Sequence, residues 1–329
     1  MTQVYDDIKK VVILRGPRGG RLEGRTSPIE STDDAPPVQR RRALIILNPA
    51  AGRSRSSGRR LRRVVAALER RGCAVVLRRA GPEGGDVERL AREAEPEFDI
   101  IVAAGGDGTL NAVVNGMAAA PRVVALLPFG TANVLANEIG LPRDPDGLAE
   151  AIASGPARPI WPGRVGDRLF LTMASSGFDA AIVAAVNPRL KRHTGRLAFA
   201  SAILGGLWRY RACELCVRVD GVDHRAATMI AAKGRFYAGP YVIAPLADLA
   251  EPVLDLVLFQ RSGRLAVLRY LAALLLGSLP RRQDITFLRS REACVSAGEA
   301  VPVQADGEIV AHLPVKIAIA EQSLLLVRP

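Results

Sequence analysis

The stretch VAAGGDGTLNAVVNG, residues 102–116, decides the fold class of this 329-residue chain. An apolar run ends in a turn with glycine at positions 105, 106 and 108, and a helix-like pattern follows at once. Glycine lets the backbone approach an anion closely, and the N–H groups that open the next helix face that anion. Asp107 adds a carboxylate where nucleotide-bound magnesium could bind, directly or through water. Taken alone, the stretch is as typical of a tight turn as of a phosphate-binding loop.

On both sides of this stretch, apolar strands alternate with amphipathic helices. The strands are predicted over residues 43–52, 73–80, 98–106 and 122–130, and the helices over residues 57–72, 84–96, 109–120 and 131–140. In the first helix Leu61, Val64 and Leu68 recur with the period of a helix that covers a core. Strands that are apolar throughout indicate a parallel sheet covered on both faces.

The alternation ends near residues 144–155, and the pattern changes near residue 160. Short alternating segments punctuated by Gly or Asp follow, which is typical of an antiparallel, mostly β region. Helical insertions are predicted at about residues 181–210 and 264–278. We therefore expect an α/β plus β fold, with an α/β domain over residues 43–163 and a β-rich domain over residues 164–319.

Residues 1–42 are rich in Gly, Pro, Arg, Asp and Ser and show little apolar periodicity. They are expected to form a disordered or weakly ordered basic arm. An early assigned start codon would give the same pattern.

Composition narrows the class of partner. A net charge of +12 suits nucleotides, nucleic acid and acidic membranes, but an aromatic content of only 5% argues against binding of single-stranded nucleic acid by base stacking.

Cys213 and Cys216 have metal-ligand spacing, yet the alternating residues around them favour a half-buried strand over a metal or redox site. The first ten residues lack the apolar core of a signal peptide, and residues 265–280 are too short to span a bilayer. A cytoplasmic protein that touches a membrane surface is expected.

Three loops at the ends of predicted strands carry unusual residues. They span residues 48–52, 105–109 and 128–133, and they supply glycines, hydroxyls and amides. Because ligands of a parallel sheet bind beyond the carboxyl ends of its strands, the three loops are expected at one edge. Neither the GxxxxGK[ST] loop nor the GxGxxG fingerprint is present. Together the loops favour a nucleotide site over three unrelated turns.

The motifs NPAAG (48–52), GGDGTLNAVVNG (105–116) and LPFGTANVLANEIGLP (127–142) resemble the catalytic domain of the diacylglycerol kinase and sphingosine kinase superfamily. The nearest resemblance is to soluble bacterial lipid kinases. It continues through ASSGFDA (174–180) and ADGE (305–308) and covers about residues 43–329. The resemblance implies an NAD kinase-like nucleotide-binding domain, a β-rich sandwich domain, a site between them, and a last strand, about 320–329, that returns to the first domain.

The resemblance also implies roles for individual residues. ATP with Mg²⁺ would contact Asn48, Pro49, Gly52, Gly105, Gly106, Asp107, Gly108, Thr109, Asn111, Gly130 and Thr131. Glu308 would be the general base that takes the proton of a lipid hydroxyl, with Asp306 as its neighbour and Asp107 on the magnesium side. Asp179 corresponds to a position near the acceptor lipid, although a helix cap explains an Asp there equally well.

This chain departs from the family pattern at three places. The Thr that follows the second strand is missing from RRAGPEGGD (78–86), and Val134 stands where an Asp is common. Many bacterial members have an Asp-Gly pair that belongs to a structural magnesium site, whereas this chain has Glu251-Pro252. Asp248 and Glu251 are the remaining candidate ligands there.

The expected function is an ATP-dependent lipid kinase that acts on diacylglycerol, with a sphingoid base or ceramide as alternative acceptors. Two rival functions stay open: an NAD kinase-like activity on a small molecule, and a catalytically inactive membrane-binding regulator of the same fold. Partners are expected to be ATP, a lipid and, transiently, a membrane surface near the arginines at 281–282, with no nucleic acid. A homodimer is expected.

Overall fold

The computed structural model of the chain describes residues 41–51, 55–82, 84–117, 122–130, 132–185 and 213–329. The predicted arm lies outside the described residues except for Arg41 and Arg42, as does most of the insertion predicted at 181–210. Among the helices that the structure describes, none is both long enough and apolar enough to cross a membrane.

The first sheet has six strands: β1 (Arg42–Leu47), β2 (Ala74–Arg79), β3 (Ile100–Gly105), β4 (Val123–Pro128), β5 (Ala157–Ile160) and β20 (Leu324–Val327). Their order is β2-β1-β3-β4-β20-β5. The pairs from β2 to β20 are parallel, and only the β20–β5 pair is antiparallel. The predicted parallel sheet is confirmed, and the last strand of the chain lies inside it.

Helices cover both faces of this sheet. They are α1 (Arg55–Arg70), α2 (Val87–Arg92), α3 (Asp107–Gly116), α4 (Val134–Glu138) and α5 (Pro145–Ser154). Leu61, Val64 and Leu68 of α1 are buried in one core, as the periodicity predicts. A second core, which includes Leu110 and Val114, lies on the opposite face.

Two predicted helices in this region are too long. The helix predicted at 84–96 is formed only by Val87–Arg92, because Gly84 has a left-handed backbone (φ +73°) and Pro96 follows. The helix predicted at 131–140 begins only at Val134, because Asn133 adopts a left-handed conformation (φ +44°).

The chain leaves the first sheet after Ile160 and enters a β sandwich at Gly163. One sheet of the sandwich contains β6 (Gly163–Val165), β7 (Arg168–Phe170), β9 (Leu215–Val219), β10 (Val222–Ala226), β16 (Glu292–Ala297) and β19 (Val315–Ile319). The facing sheet contains β8 (Met173–Ser176), β11 (Thr228–Ala232), β14 (Leu254–Phe259), β15 (Ile285–Ser290), β17 (Pro302–Ala305) and β18 (Glu308–His312). Every pairing is antiparallel, and the sandwich core includes Phe170, Leu215 and Leu256.

Two helices and a short ribbon complete the described part of the β-rich region. Helix α6 (Phe178–Ala185) follows β8, and the ribbon pairs β12 (Phe236–Tyr237) with β13 (Tyr241–Val242). Helix α7 (Arg264–Leu275), where an insertion was predicted, packs on the outer face of the second sandwich sheet through Ala266, Tyr270 and Leu274.

Candidate active site

The three glycine- and asparagine-containing loops meet at one edge of the first sheet. They follow β1, β3 and β4, which run parallel and adjacent. The amide of Asn48 donates to the carbonyl of Ala104 (3.0 Å), and the amide of Phe129 donates to the carbonyl of Gly105 (2.7 Å). The loops therefore hold one another in place. Thr131 and Gly52 lie outside the described residues.

The glycines are required by close packing. A Cβ on Gly130 would lie 2.7 Å from the Cα of Gly106, and a Cβ on Gly105 would lie 2.1 Å from Oγ1 of Thr109. Heavy atoms do not approach this closely, so these positions admit no larger residue without movement of the backbone. The turn and the phosphate-loop interpretations are thus compatible, because the tight packing presents bare backbone at the start of α3.

Asn48 and Thr109 shape these loops. Nδ2 of Asn48 donates to Oγ1 of Thr109 (3.0 Å), and Oδ1 of Asn48 accepts from the amide of Ala50 (2.9 Å). Thr109 is buried. Both side chains therefore use polar atoms within the protein, next to the predicted nucleotide position.

The carboxylate of Asp107 caps the neighbouring helix. Its two oxygens accept from the amides of Val134 and Leu135, each at 2.9 Å, at the start of α4. Burial raises the pKa of Asp107 and the nearby charge of Asp306 acts in the same direction, while the two amides oppose the rise. Val134, which replaces the common Asp, thus contributes its amide to this cap.

Asn133 has a polar side-chain atom that lacks a partner among the described residues. Oδ1 of Asn133 is buried and accepts no hydrogen bond from the described residues, while Nδ2 of the same side chain donates to the carbonyl of Gly130 (2.8 Å). An amide oxygen fits a ribose hydroxyl or a magnesium ion, and the side-chain-free cradle of Gly105, Gly106 and Gly130 fits phosphates. The residues present are therefore suited to ATP with magnesium.

Asp306 connects the two parts of the molecule. Asp306 and Gly307 have positive φ (46° and 86°) and form the turn between β17 and β18. The carboxylate accepts from the amides of residues 171–173 (2.7–3.1 Å), from Oγ1 of Thr172 (2.5 Å) and from Nδ2 of Asn111 (2.8 Å). Asp306, expected beside the catalytic base, is thus a positioning residue. Asn111, expected at the nucleotide, directs its amide across the junction.

Glu308 is the open carboxylate of this turn. Its side chain is 63% exposed, and its Oε2 lies 3.7 Å from a guanidinium nitrogen of Arg168. Arg168 is anchored by Glu88 of α2 at 2.6 Å. Since Asn111 of α3 contacts Asp306, the turn that carries Glu308 lies against α3, the helix that follows Gly105 and Gly106.

Asp179 lines a small, mainly apolar pocket. The pocket lies between α6, α7 and the second sandwich sheet, and its walls include Phe178, Ile230, Phe259 and Leu274. The buried carboxylate accepts from Ser175 Oγ (2.5 Å), Gln304 Nε2 (3.0 Å) and the hydroxyl of Tyr237. Burial, followed by the charge of Asp179, raises the pKa of Tyr237 well above 10.

The second expected metal site does not fit a metal. The side chain of Glu251 pairs with Arg289, and Oδ1 of Asp248 accepts from the amide of Ala250 (2.8 Å). The main-chain carbonyls of this turn receive hydrogen bonds from the buried ammonium of Lys233. Within the described ranges, acidic, histidine and cysteine side chains form no group of three that could hold a metal ion. The expectation of ligands at Asp248 and Glu251 stays a prediction, which the contacts of these side chains do not favour.

Sequence reasoning missed several residues of this region. Tyr237 and Gln304 hold Asp179, Arg168 approaches Glu308, and Asn133 offers the free amide oxygen. Lys233 alone left a usable signal, since it ends the apolar run TMIAA of β11. A lysine in that context is either at the surface or buried with partners.

Comparison with known proteins agrees with this architecture. Residues 42–165 match the family model of the diacylglycerol kinase catalytic domain, and residues 172–328 match the YegS C-terminal NAD kinase beta sandwich-like domain. A diacylglycerol kinase of Bacillus subtilis (strain 168) is 31% identical over 281 residues, which cover 83% of this chain and 92% of that protein. A Chromohalobacter salexigens protein named "Probable lipid kinase YegS-like" is 31% identical over 255 residues, covering 75% and 82% of the two chains.

A solved structure shows the same fold. The chain of a diacylglycerol kinase from Bacillus anthracis strain Sterne superposes with a TM-score of 0.71 at 21% identity, covering 88% of this chain and 98% of that chain. One assignment follows from three observations. They are the motifs of the glycine loops, the sandwich that follows them, and the identity with the Bacillus subtilis relative over most of both chains. The chain belongs to the family of lipid kinases that carry the diacylglycerol kinase catalytic domain.

Proposed function

We propose that this lipid kinase transfers the γ-phosphate of ATP to the free hydroxyl of diacylglycerol. The observation that carries the proposal is the small, mainly apolar pocket that Asp179 lines. Its apolar walls suit contact with part of an acyl chain, and its polar lining groups suit a glycerol hydroxyl or ester. The name of the Bacillus subtilis relative supports the choice of this acceptor.

ATP would lie along the glycine loops. Gly105, Gly106 and Gly130 would accommodate the phosphates, and the amides that open α3 would face them. Asn133 Oδ1 and the capped carboxylate of Asp107 would face the magnesium ion or a ribose hydroxyl. Magnesium, when bound with ATP, supplies neutralisation of phosphate charge.

Glu308 is the group best placed to take the proton of the acceptor. The lipid oxygen forms a bond to the γ-phosphorus while its proton moves to an Oε atom of Glu308. The bond from that phosphorus to the bridging oxygen breaks, and ADP leaves. Asp306 contributes indirectly, because its hydrogen bonds fix the turn on which Glu308 stands.

Contact with a membrane surface would deliver the lipid. Helix α7 lines the pocket with Tyr270 and Leu274, whereas Leu265, Leu275 and Leu276 at its ends are strongly exposed. Exposed leucines near the arginines at 281–282 suit the interface of an anionic bilayer.

The decisive experiment supplies labelled ATP to the full chain with one acceptor at a time. Diacylglycerol, sphingosine, ceramide and phosphatidylglycerol are presented in mixed micelles, NAD is presented in solution, and triacylglycerol, which lacks a free hydroxyl, is the control. We expect the highest kcat/KM with diacylglycerol and no label on triacylglycerol. Preferred labelling of sphingosine or ceramide would overturn the acceptor, and labelling of NAD without any lipid would overturn the proposal.

A further inference from the structure

Lys233 is buried at the end of β11 with 0% of its surface exposed. Its Nζ donates to three main-chain carbonyls, those of Asp248 (3.1 Å), Glu251 (2.5 Å) and Val253 (2.8 Å). An ammonium group has three donors, so all of them are used. The acceptors lie within residues 248–253, a segment that we call the carbonyl turn.

Three carbonyl acceptors around one Nζ require the charged ammonium, because a neutral amine has only two N–H donors. Burial lowers the pKa of Lys233 to about 8, while the carboxylates of Asp255, Asp248 and Glu251 raise it and Arg289 lowers it. A negative charge is close to this ammonium, since the buried carboxylate of Asp255 is the charge that raises the pKa of Lys233 most. The carbonyl turn therefore surrounds a positive charge.

Convergent carbonyl oxygens with a nearby carboxylate are the donor set that hard divalent cations prefer. In this chain a tethered ammonium occupies the centre of that set, and the side chain of Glu251 turns away to Arg289. A divalent cation and an ammonium cannot share the same three oxygens, because both are positive and both need the same lone pairs.

We propose that Lys233 replaces the structural divalent cation expected at the carbonyl turn, so that the turn is organised by a covalently tethered positive charge and takes no metal. Lys233 is then a positioning residue. It receives no substrate, but its own amide donates to the carbonyl of Thr172 (2.8 Å), and Thr172 in turn donates to Asp306.

The carbonyl turn also joins the two parts of the molecule. Leu249 packs in the core of the first sheet, and its carbonyl accepts from the amide of Trp161 (2.8 Å). Ala247, just before the turn, packs in the core beneath α7. Loss of the positive charge would therefore loosen the joint as well as the turn.

The experiment compares the thermal midpoint, Tm, of the full chain in EDTA and in excess magnesium chloride, without nucleotide. The variants are Lys233→Met, which keeps the length and removes the charge, and Lys316→Met, which removes an exposed lysine paired with Glu292. We expect wild type and Lys316→Met to have the same Tm in both solutions. Lys233→Met is expected to lose about 5 °C or more in both, because three buried carbonyls lose their donor.

Two results would overturn the proposal: a Lys233→Met variant with the Tm of wild type, or a Tm that rises with magnesium both in the wild type and in Asp107→Asn. The variant Asp107→Asn, measured alongside, shows whether a rise of Tm with magnesium comes from the glycine loops or from the carbonyl turn. A rise that persists in this variant belongs to the carbonyl turn and overturns the proposal, whereas a rise that disappears belongs to the glycine loops and leaves it supported. The wild-type comparison remains informative if Lys233→Met does not fold. No acceptor is used, so failure of diacylglycerol as a substrate would not count against it.

Discussion

Asp306 and Glu308 stand two residues apart, yet their surroundings give them different tasks. The carboxylate of Asp306 is saturated by donors from both parts of the chain, whereas Glu308 is 63% exposed and faces Arg168. A carboxylate whose lone pairs all accept hydrogen bonds cannot readily take up a substrate proton, but a solvent-exposed carboxylate with free lone pairs can. The proposed proton transfer therefore rests on Glu308.

Substitution of Glu308 by Gln tests this role. The amide cannot accept the proton, so we expect kcat to fall by about 10²–10⁴-fold, the usual contribution of a general base. KM for ATP and the free energy of unfolding should stay near the wild-type values, because Glu308 is exposed. Initial rates with labelled ATP measure the effect, with the exposed Glu321→Gln as the control. Full activity in Glu308→Gln would exclude Glu308 as the base.

Asp107 predicts a pH dependence of stability. Burial raises the pKa of its carboxyl above the usual value, so between the unfolded-state and folded-state pKa values the folded chain binds more protons than the unfolded chain. Acidification through this window stabilises the wild type relative to Asp107→Asn, which has no proton to gain. We expect urea denaturation to show the difference in free energy of unfolding moving in favour of the wild type as pH falls below neutral. Movement in the opposite direction would mean that the amides of Val134 and Leu135 outweigh burial.

Sequence motifs identify single residues only where the motif itself carries the chemistry. The sequence predicted Asp107, Asp306 and Glu308 as functional candidates, and in the structure Asp306 lies near Asp107 and is hydrogen-bonded to Asn111 of the same helix. The hydrogen-bond partners of Asp306 could not be predicted, because residues 171–173 are far from it in sequence and carry no polar signature except Thr172. Lys233 was missed for the same reason, since its acceptors are main-chain carbonyls and any residue has one.

At the level of elements, the glycine loops follow from the sequence and the short helices do not. Apolar runs such as residues 100–105 identify buried strands, and glycine marks the turns that follow them. Helix ends depend on the backbone conformation of single residues, such as the left-handed Asn133 before α4. The apolar periodicity of the sequence does not reveal such conformations.

Gly130→Ala tests the packing of the loops. Its Cβ would lie 2.7 Å from both Gly106 Cα and Asn133 Oδ1, so the cradle must open. Overpacking of this kind costs about 1–3 kcal/mol, and we expect KM for ATP to rise by about tenfold or more. Gly58→Ala in α1 is the matched control, since nothing lies within 4 Å of the added Cβ. Equal KM values for the two variants would show that the cradle is not a nucleotide site.

At the scale of the whole molecule, side-chain bridges span the two described parts of the chain. They include Asn111 to Asp306, Glu88 to Arg168, Asn115 to Leu169, and Glu138 to Arg235. The distance between the glycine cradle and the sandwich is therefore set by side chains as well as by the connecting segment. The sequence predicted the two kinds of sheet but could not predict these bridges, because their members lie up to 195 positions apart.

Glu138→Ala tests the bridge farthest from the proposed base. The Glu138 side chain is only 6% exposed and accepts from Arg235 Nε (2.9 Å) and from the amides of Arg235 and Phe236 (2.8 and 3.2 Å). Its removal leaves two amides without their acceptor, so we expect a loss of about 1–3 kcal/mol in the free energy of unfolding by urea denaturation. Glu97→Ala, which removes an exposed partner of Arg42, should cost no more than about 1 kcal/mol. Similar losses in both variants would argue that the Glu138 bridge adds nothing beyond a surface ion pair.

Strand β20 has a consequence for biosynthesis. It contains residues 324–327 of a 329-residue chain, yet it lies between β4 and β5, and β5 contacts the first sheet through β20 alone in the described order. A nascent chain therefore cannot complete its first sheet until residues 324–327 have left the ribosome. Until then β4 presents an unpaired edge, which is the kind of surface that chaperones protect from aggregation. A nonsense codon anywhere before position 324 would consequently damage the nucleotide-binding half as well as the half in which it falls.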